Sequence, residues 1–249
     1  MVHLANNMKK YKSILAFGDS HPVGCESSRS KFTINDYING HVDLEDLDLS
    51  TKPFSFPNLL ADILDVPCYN YSLSGGSNKR SLRLLPQALL EHSDSLVLFN
   101  YTETHRSEIY YPEFGRHLGQ TNDGYIQLGI HWYTVKHSKF NHPINDYFVE
   151  NMLHIDSTNL DIFNTMFYVD QSCKNLALDY FHIFGFPNLY SGSNLVDQSK
   201  ILNLDLDTNA GYGDFISWCN LQGFTKLPYG HYDLGAHILF SKLLYNKLN

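Results

Sequence analysis

Short apolar runs separated by segments of helical periodicity are the feature that most restricts how this chain can fold. Runs rich in branched and aromatic residues predict buried strands at Ser13–Phe17, Cys68–Ser72, Ser95–Tyr101 and Tyr180–Phe186. Apolar residues at every third or fourth position predict helices after Pro53 and over Asn78–Glu91, Leu160–Leu178 and Asp233–Leu248. Alternating strands and helices favour a parallel sheet covered on both faces. We therefore expect a doubly wound α/β fold, a three-layer sandwich around a central parallel sheet of about five strands.

The composition is that of a packed globular protein, and the net charge argues against two classes of binding partner. With 249 residues, 43% of them hydrophobic and 18% charged, and with no internal repeat or linker, the chain is expected to form one domain over 1–249. Its net charge of −8 at pH 7 argues against nucleic acid and membranes as partners. Because the N-terminal segment shows neither a secretory signal nor a membrane-spanning run, we expect a soluble, cytoplasmic protein.

The cysteines and histidines predict no metal site. No two cysteines form a C-x-x-C pair, so free thiols are expected at Cys25, Cys68, Cys173 and Cys219. His137 and His142 lack the i, i+4 spacing and the companion glutamate of a helical zinc motif. Neither a metal nor another cofactor is expected.

Two long segments lack the periodicity of a strand or a helix. The polar stretch 27–52, with its acidic run HVDLEDLDLS, is predicted to be a loop carrying at most one helical turn. The segment at about 102–145 is an insertion crowded with aromatic residues and histidines, of a length that is usually functional. Its aromatic rings could stack on sugars or pack the insertion against the domain, and both alternatives stay open.

A serine lies directly after the first predicted strand, in the run FGDSHPVG at 17–24. Ser20 is therefore expected at the carboxyl edge of the sheet, where free N–H groups of a following helix could stabilise an oxyanion. The alternative is that Asp19 and Ser20 only cap that helix. A serine nucleophile needs a base. His231 lies in a glycine-preceded loop before the last helix and fits that role, whereas His237 falls within the helical pattern and is expected to be structural.

Three blocks of the sequence resemble, in order and spacing, those of the SGNH (GDSL-type) esterase/lipase family: GDS at 18–20 with Gly24, NYSLSGGSN at 70–78, and HYDLGAH at 231–237. The resemblance implies a flavodoxin-like, SGNH-type sheet and a serine esterase. Ser20 would be the nucleophile, forming an acyl-enzyme, and His231 the general base. The N–H groups of Ser20 and Gly75 would hold the oxyanion, with Gly76 as the alternative to Gly75. The implied substrates are small-molecule or glycan esters, with short acyl chains or O-acetyl groups on carbohydrate.

One departure from the family pattern concerns the group that orients the base. The family places an aspartate three residues before the histidine, where this chain has Pro228. A Ser-His dyad is therefore expected, oriented by a backbone carbonyl or by a distant carboxylate such as Asp233 or Asp214.

The other departure concerns the oxyanion hole. The family ends its middle strand with an asparagine, and Thr102 takes that place here, while Asn100 lies two residues earlier on the same face of the strand. Thr102 is favoured by position and Asn100 by chemistry. Arg106 follows closely and is expected to pair with a carboxylate at the surface, or alternatively to contact an anionic group of the substrate.

Two other functions share most of these features. A non-catalytic module that binds a glycan or another ligand would keep the pocket, with Pro228 and Thr102 marking lost catalytic parts. An acyltransferase would use the same acyl-enzyme with a different acceptor. The presence of both Ser20 and His231 favours the esterase, and the sequence predicts no oligomeric state.

Overall fold

The computed structural model describes residues 10–24, 31–103, 106–110, 126–127, 132–135, 155–187, 194–204, 213–228 and 230–249. Cys25, His137, His142 and most of the aromatic insertion lie outside these residues.

The described part of the chain contains seven strands and eight α-helices. The strands are β1 (Ser13–Phe17), β2 (Cys68–Asn70), β3 (Ser95–Tyr101), β4 (Ser107–Tyr110), β5 (Ile126–Gln127), β6 (Trp132–Val135) and β7 (Asp179–Phe184). The helices are α1 (Ser20–Val23), α2 (Ile34–Ile38), α3 (Leu44–Thr51), α4 (Phe56–Leu64), α5 (Asn78–Glu91), α6 (Ile155–Asn175), α7 (Phe215–Leu221) and α8 (Leu234–Leu248). Short 3₁₀ turns occupy Lys52–Phe54 and Gln198–Lys200.

Four parallel strands form the central sheet in the order β2-β1-β3-β7. Beyond β7, Ile201 forms one isolated parallel bridge with His182. The described sheet thus has four strands and a single further bridge where about five strands were expected. β4, β5 and β6 form a separate antiparallel sheet in the order β4-β6-β5, within the predicted insertion.

Helices cover both faces of the parallel sheet. One apolar cluster joins Ile14 and Leu98 to residues of α4, α7 and α8, among them Phe56, Phe215 and Phe240. The other cluster lies on the opposite face, with these members: Leu15, Phe17, Val97 and Phe99 of the sheet, Leu85 and Leu89 of α5, and Met166 and Val169 of α6. Neighbouring residues of β1 point to opposite faces, as the pleat requires. The three-layer, doubly wound prediction is confirmed.

The structure adds helices where the sequence predicted none, or at most one helical turn. The stretch 27–52 contains two helices, each starting at a side-chain cap: Thr33 accepts from the N–H of Asp36 at α2, and Asp43 from that of Asp46 at α3. A third, α7, lies between the predicted strand Tyr180–Phe186 and the final helix, and Asp214 caps it by accepting from the N–H of Ser217 at 2.9 Å. Such short helices leave little periodic signal. Over the described residues, every helix is too short or too polar to cross a membrane.

Candidate active site

The candidate site lies at the carboxyl ends of β1 and β3. β1 ends at Phe17, and Gly18 and Asp19 lead into α1, of which Ser20 is the first residue. A Cβ on Gly18 would lie 2.7 Å from Pro22 Cγ and 2.9 Å from Asn100 Cβ. Only glycine therefore fits this turn, which brings α1 against the end of β3.

The structure brings the two expected catalytic residues together. His231 Nε2 lies 2.7 Å from Ser20 Oγ, a hydrogen-bond distance across 211 residues of chain. Ser20 is 7% exposed, so its hydroxyl is shielded while the histidine is half-buried. The backbone N–H of Leu227 donates to the carbonyl of His231 at 2.8 Å, which fixes the loop that presents the imidazole. This is the geometry of a nucleophile and its base.

Two further histidines lie close to this pair. The ring of His21 packs against His231 at 5.5 Å, with Phe186 and Phe215 on its other sides. Burial lowers the pKa of His21 well below its ordinary value, helped by the charge of His231. His237, expected to be structural, is stacked in the core and burial lowers its pKa to about 3. Among the described residues, the histidine nitrogen at hydrogen-bond distance from Ser20 Oγ belongs to His231.

Hydrogen bonds to a side chain of α3 fix the loop that carries Gly75. Asp48, which is 1% exposed, accepts from the backbone N–H of Ser74 at 2.8 Å and from its hydroxyl at 2.6 Å. The N–H of Gly76 donates to the carbonyl of Leu73 at 2.8 Å. Among the described residues the N–H of Gly75 has no such partner. Of the two glycines considered as oxyanion donors, Gly75 is therefore the one whose N–H is available.

The side chains at the end of β3 face Asp19. The hydroxyl of Thr102 donates to Asp19 Oδ2 at 2.7 Å, and Asn100 Nδ2 lies 3.5 Å from Asp19 Oδ1. Asn78 holds Thr102 from behind, since its Oδ1 accepts from the Thr102 N–H at 2.9 Å and its Nδ2 donates to the Thr102 carbonyl at 3.3 Å. The sequence predicted that Asn100 and Thr102 lie on the same face of the strand. It did not predict that the Asp19 carboxylate lies against that face.

Asp19 is fully buried and is the centre of a polar network. Its carboxylate caps α1 by accepting from the N–H of His21 at 3.1 Å, and it also accepts from Arg106 Nη1 at 3.3 Å. Arg106 in turn pairs with Glu103, through contacts of 2.8 Å from Nε and 2.7 Å from Nη2 to Oε2. Burial raises the pKa of Asp19, while the Arg106 charge and the Thr102 hydrogen bond oppose that rise. The expected ion pair of Arg106 exists, but it is buried rather than superficial, with the arginine side chain 11% exposed.

The two carboxylates considered for orienting His231 both cap helices. Asp233 accepts from the N–H of Gly235 at 3.0 Å and from that of Ala236 at 3.4 Å, at the start of α8. Asp214 caps α7. The described residues contain no cluster of three histidine, cysteine or carboxylate side chains that could hold a metal ion.

No protein-family model and no curated protein matches the chain. Solved structures resemble it at low identity. The psychrotrophic esterase EstA from Pseudoalteromonas sp. is 14% identical, with 95% of this chain and 96% of that one covered and a TM-score of 0.44. A carbohydrate esterase described as having divergent catalytic and non-catalytic binding functions is 17% identical, with coverage of 98% and 66% and a TM-score of 0.46.

A carbohydrate esterase family 2 enzyme with a carbohydrate-binding domain, from Corynascus thermopiles (Myceliophthora fergusii), is 12% identical. It is covered over 69% of its length and 99% of this chain, with a TM-score of 0.45. The names of all three describe esterases. At such identities they establish no activity for this chain, so its function has to come from the geometry of the site.

Proposed function

We propose that this protein is an SGNH-type serine esterase that hydrolyses carboxylic esters through an acyl-enzyme on Ser20. The observation that carries the proposal is the 2.7 Å contact between Ser20 Oγ and His231 Nε2 at the carboxyl edge of a parallel sheet. A hydroxyl held by a neutral imidazole can lose its proton to the ring as its oxygen attacks a carbonyl carbon.

The reaction follows from the groups around this pair. Ser20 Oγ attacks the ester carbonyl while His231 Nε2 accepts the proton, and the carbonyl oxygen becomes an oxyanion held by the N–H groups of Ser20 and Gly75. His231 then returns the proton to the departing alcohol oxygen, which leaves Ser20 acylated. Water attacks the acyl carbonyl, with His231 again as base, and releases the carboxylic acid and free Ser20.

The proposal uses a Ser-His dyad rather than a triad with an aspartate three residues before the histidine. Pro228 occupies that position, and Asp214 and Asp233 each accept helix N–H groups. The imidazole of His231 is positioned by the hydrogen bond from the Leu227 N–H to the His231 carbonyl and by the packing of His21 against the ring.

For the substrate we propose small-molecule or glycan esters with short acyl groups, O-acetyl esters included. The support is the resemblance of the motifs together with the aromatic residues of the 102–145 insertion, which suit contact with a sugar ring.

The test uses p-nitrophenyl acetate and butyrate with wild type, Ser20→Ala and His231→Ala. Each variant should lose at least about 10⁴-fold in kcat, because the members of a nucleophile and base pair act as a unit. Ser81→Ala is the matched control, since Ser81 is also a buried serine but lies on α5, and it should keep full activity.

Labelling with a fluorophosphonate, followed by mass spectrometry, identifies the nucleophile directly. The reagent should modify Ser20 in wild type and no serine in Ser20→Ala. Absence of both turnover and labelling in wild type would reject the esterase and favour the non-catalytic binding module.

A further inference from the structure

Asn100 and Thr102, the two side chains expected at the oxyanion, contact Asp19 instead. A threonine hydroxyl has one hydrogen to donate, and that of Thr102 goes to Asp19 Oδ2. The Asn100 side chain is 1% exposed and lies between Gly18 and Gly185. A Cβ added to Gly18 would lie 2.9 Å from Asn100 Cβ, and a Cβ added to Gly185 would lie 2.8 Å from Asn100 Nδ2. Neither side chain is free to donate to a bound substrate.

Arg106 lies beside the same atoms. Its Nη1 is 3.3 Å from Asp19 Oδ2, the oxygen to which Thr102 also donates. Its guanidinium carbon lies 5.3 Å from the centroid of the Phe186 ring. That ring packs on His21, which packs on His231. The guanidinium is thus linked to Ser20 through Asp19, the residue that directly precedes it in the chain, and to His231 through the rings of Phe186 and His21.

Part of the hydrogen-bonding capacity of Arg106 is unused among the described residues. Of the five N–H groups of a guanidinium, the Nε and one Nη2 group contact Glu103, and one Nη1 group donates to Asp19. Two N–H groups remain. Because the side chain is 11% exposed, its charge is screened far less than that of a surface arginine.

We propose that Arg106 supplies the side-chain donor of the oxyanion hole in place of Asn100 and Thr102. The inference rests on the proposed esterase function. When Ser20 Oγ adds to the ester carbonyl, the oxygen that gains the electron pair accepts hydrogen bonds from N–H groups of Arg106, Ser20 and Gly75. The interaction weakens when the intermediate collapses to the acyl-enzyme.

The rival role for Arg106 is that of a counterion which only keeps Asp19 charged. Replacing Arg106 alone does not separate the two roles, because it leaves a fully buried carboxylate without its cation and could unfold the site. Asp19→Asn together with Arg106→Gln removes both charges. If Arg106 only neutralises Asp19, the double variant should be as active as Asp19→Asn alone.

The experiment compares Asp19→Asn, Arg106→Gln and the double variant, with thermal melting to establish that each is folded. We expect the double variant to have a kcat for p-nitrophenyl acetate about 10²-fold below that of Asp19→Asn, with KM changed by no more than a few-fold. Fluorophosphonate labelling of Ser20 should slow in parallel, because that reaction also builds negative charge on oxygen. In Asp19→Asn combined with Arg106→Ala, whose short side chain leaves room for the cation, added guanidinium at millimolar concentration should restore part of the lost rate.

Arg83→Gln is the control, since Arg83 is an exposed arginine on α5, and it should match wild type with and without guanidinium. A double variant equal to Asp19→Asn in kcat and labelling would overturn the role of Arg106. Wild-type labelling at Ser20 in that case leaves the esterase proposal standing. An unlabelled, inactive wild type refutes both.

Discussion

Replacing His237 with phenylalanine should remove a large part of the acid sensitivity of the fold. His237 is 1% exposed, and its ring lies 5.7 Å from that of Phe215 and 6.1 Å from that of Phe56, nearly parallel to both. Among the described residues its Nδ1 has no hydrogen-bond partner. A phenylalanine ring can take this place without leaving a buried polar atom unsatisfied.

The magnitude follows from proton linkage. Burial, helped by the charge of His231, lowers the pKa of His237 from 6.5 to about 3. The unfolded chain therefore takes up a proton on this histidine as the pH falls below 6.5, while the folded protein does not until about pH 3. The stability that the neutral histidine provides is complete above pH 6.5 and is lost as the pH falls. At pH 4.5, two pH units lower, the loss is about 3 kcal/mol.

Urea unfolding at pH 7.5 and 4.5 measures this loss. His182, whose pKa burial lowers to about 4, adds an acid sensitivity of its own, but it does so in wild type and variant alike. The free energy of unfolding should fall from pH 7.5 to pH 4.5 in both proteins, but the fall should be about 3 kcal/mol smaller in His237→Phe than in wild type. The corresponding shifts of the urea midpoint should differ by roughly 1 M.

His237→Leu separates proton linkage from ring packing. It should show the same reduced pH dependence as His237→Phe, with a lower stability at both pH values because the stacked ring is lost. Equal pH dependence in wild type and both variants would refute the reasoning, since it would mean that His237 takes up its proton as readily in the folded as in the unfolded chain.

Two further substitutions test how the oxyanion loop and the end of β3 are held. A Cβ on Gly76 would lie 2.9 Å from the Leu73 carbonyl oxygen and 3.0 Å from that of Gly18, so Gly76→Ala should displace the Gly75 loop and lower kcat by at least about tenfold. A Cβ on Gly223 would meet no atom and is strained only by a φ of +81°, so Gly223→Ala should cost some stability but leave kcat unchanged. Asn78→Ala leaves the buried N–H of Thr102 unpaired and should cost about 1–3 kcal/mol in urea unfolding.

The doubly wound fold and the Ser20–His231 pair could be predicted because both follow from the order of strands and helices along the chain. A serine after an apolar strand and a histidine before a final helix must meet at the same sheet edge once the strands are parallel. The helices α2 and α3 were missed because they are short and polar. Their side-chain caps, such as Thr33 with Asp36, were the available signal.

The polar network could not be predicted, because spacing gives the face of a residue but not its hydrogen-bond partner. Thr102 and Asn100 lie on the face that was expected, but the carboxylate they meet belongs to Asp19, more than eighty residues earlier in the chain. The burial of Arg106 depends likewise on Phe186 and Asp19, which only the folded chain brings next to it. Asp48 lies in the stretch that was predicted to be a loop, and only its contact with Ser74 shows that it supports the segment carrying Gly75.

The separation of 211 positions between Ser20 and His231 also has a kinetic consequence. A fold held by contacts of such sequence separation has a high contact order and is expected to form slowly. Because β1 and α8 must both be in place before His231 reaches Ser20, refolding should restore the proposed esterase activity no earlier than the packed sheet. Measured activity would therefore count only the chains whose fold is complete from β1 to α8.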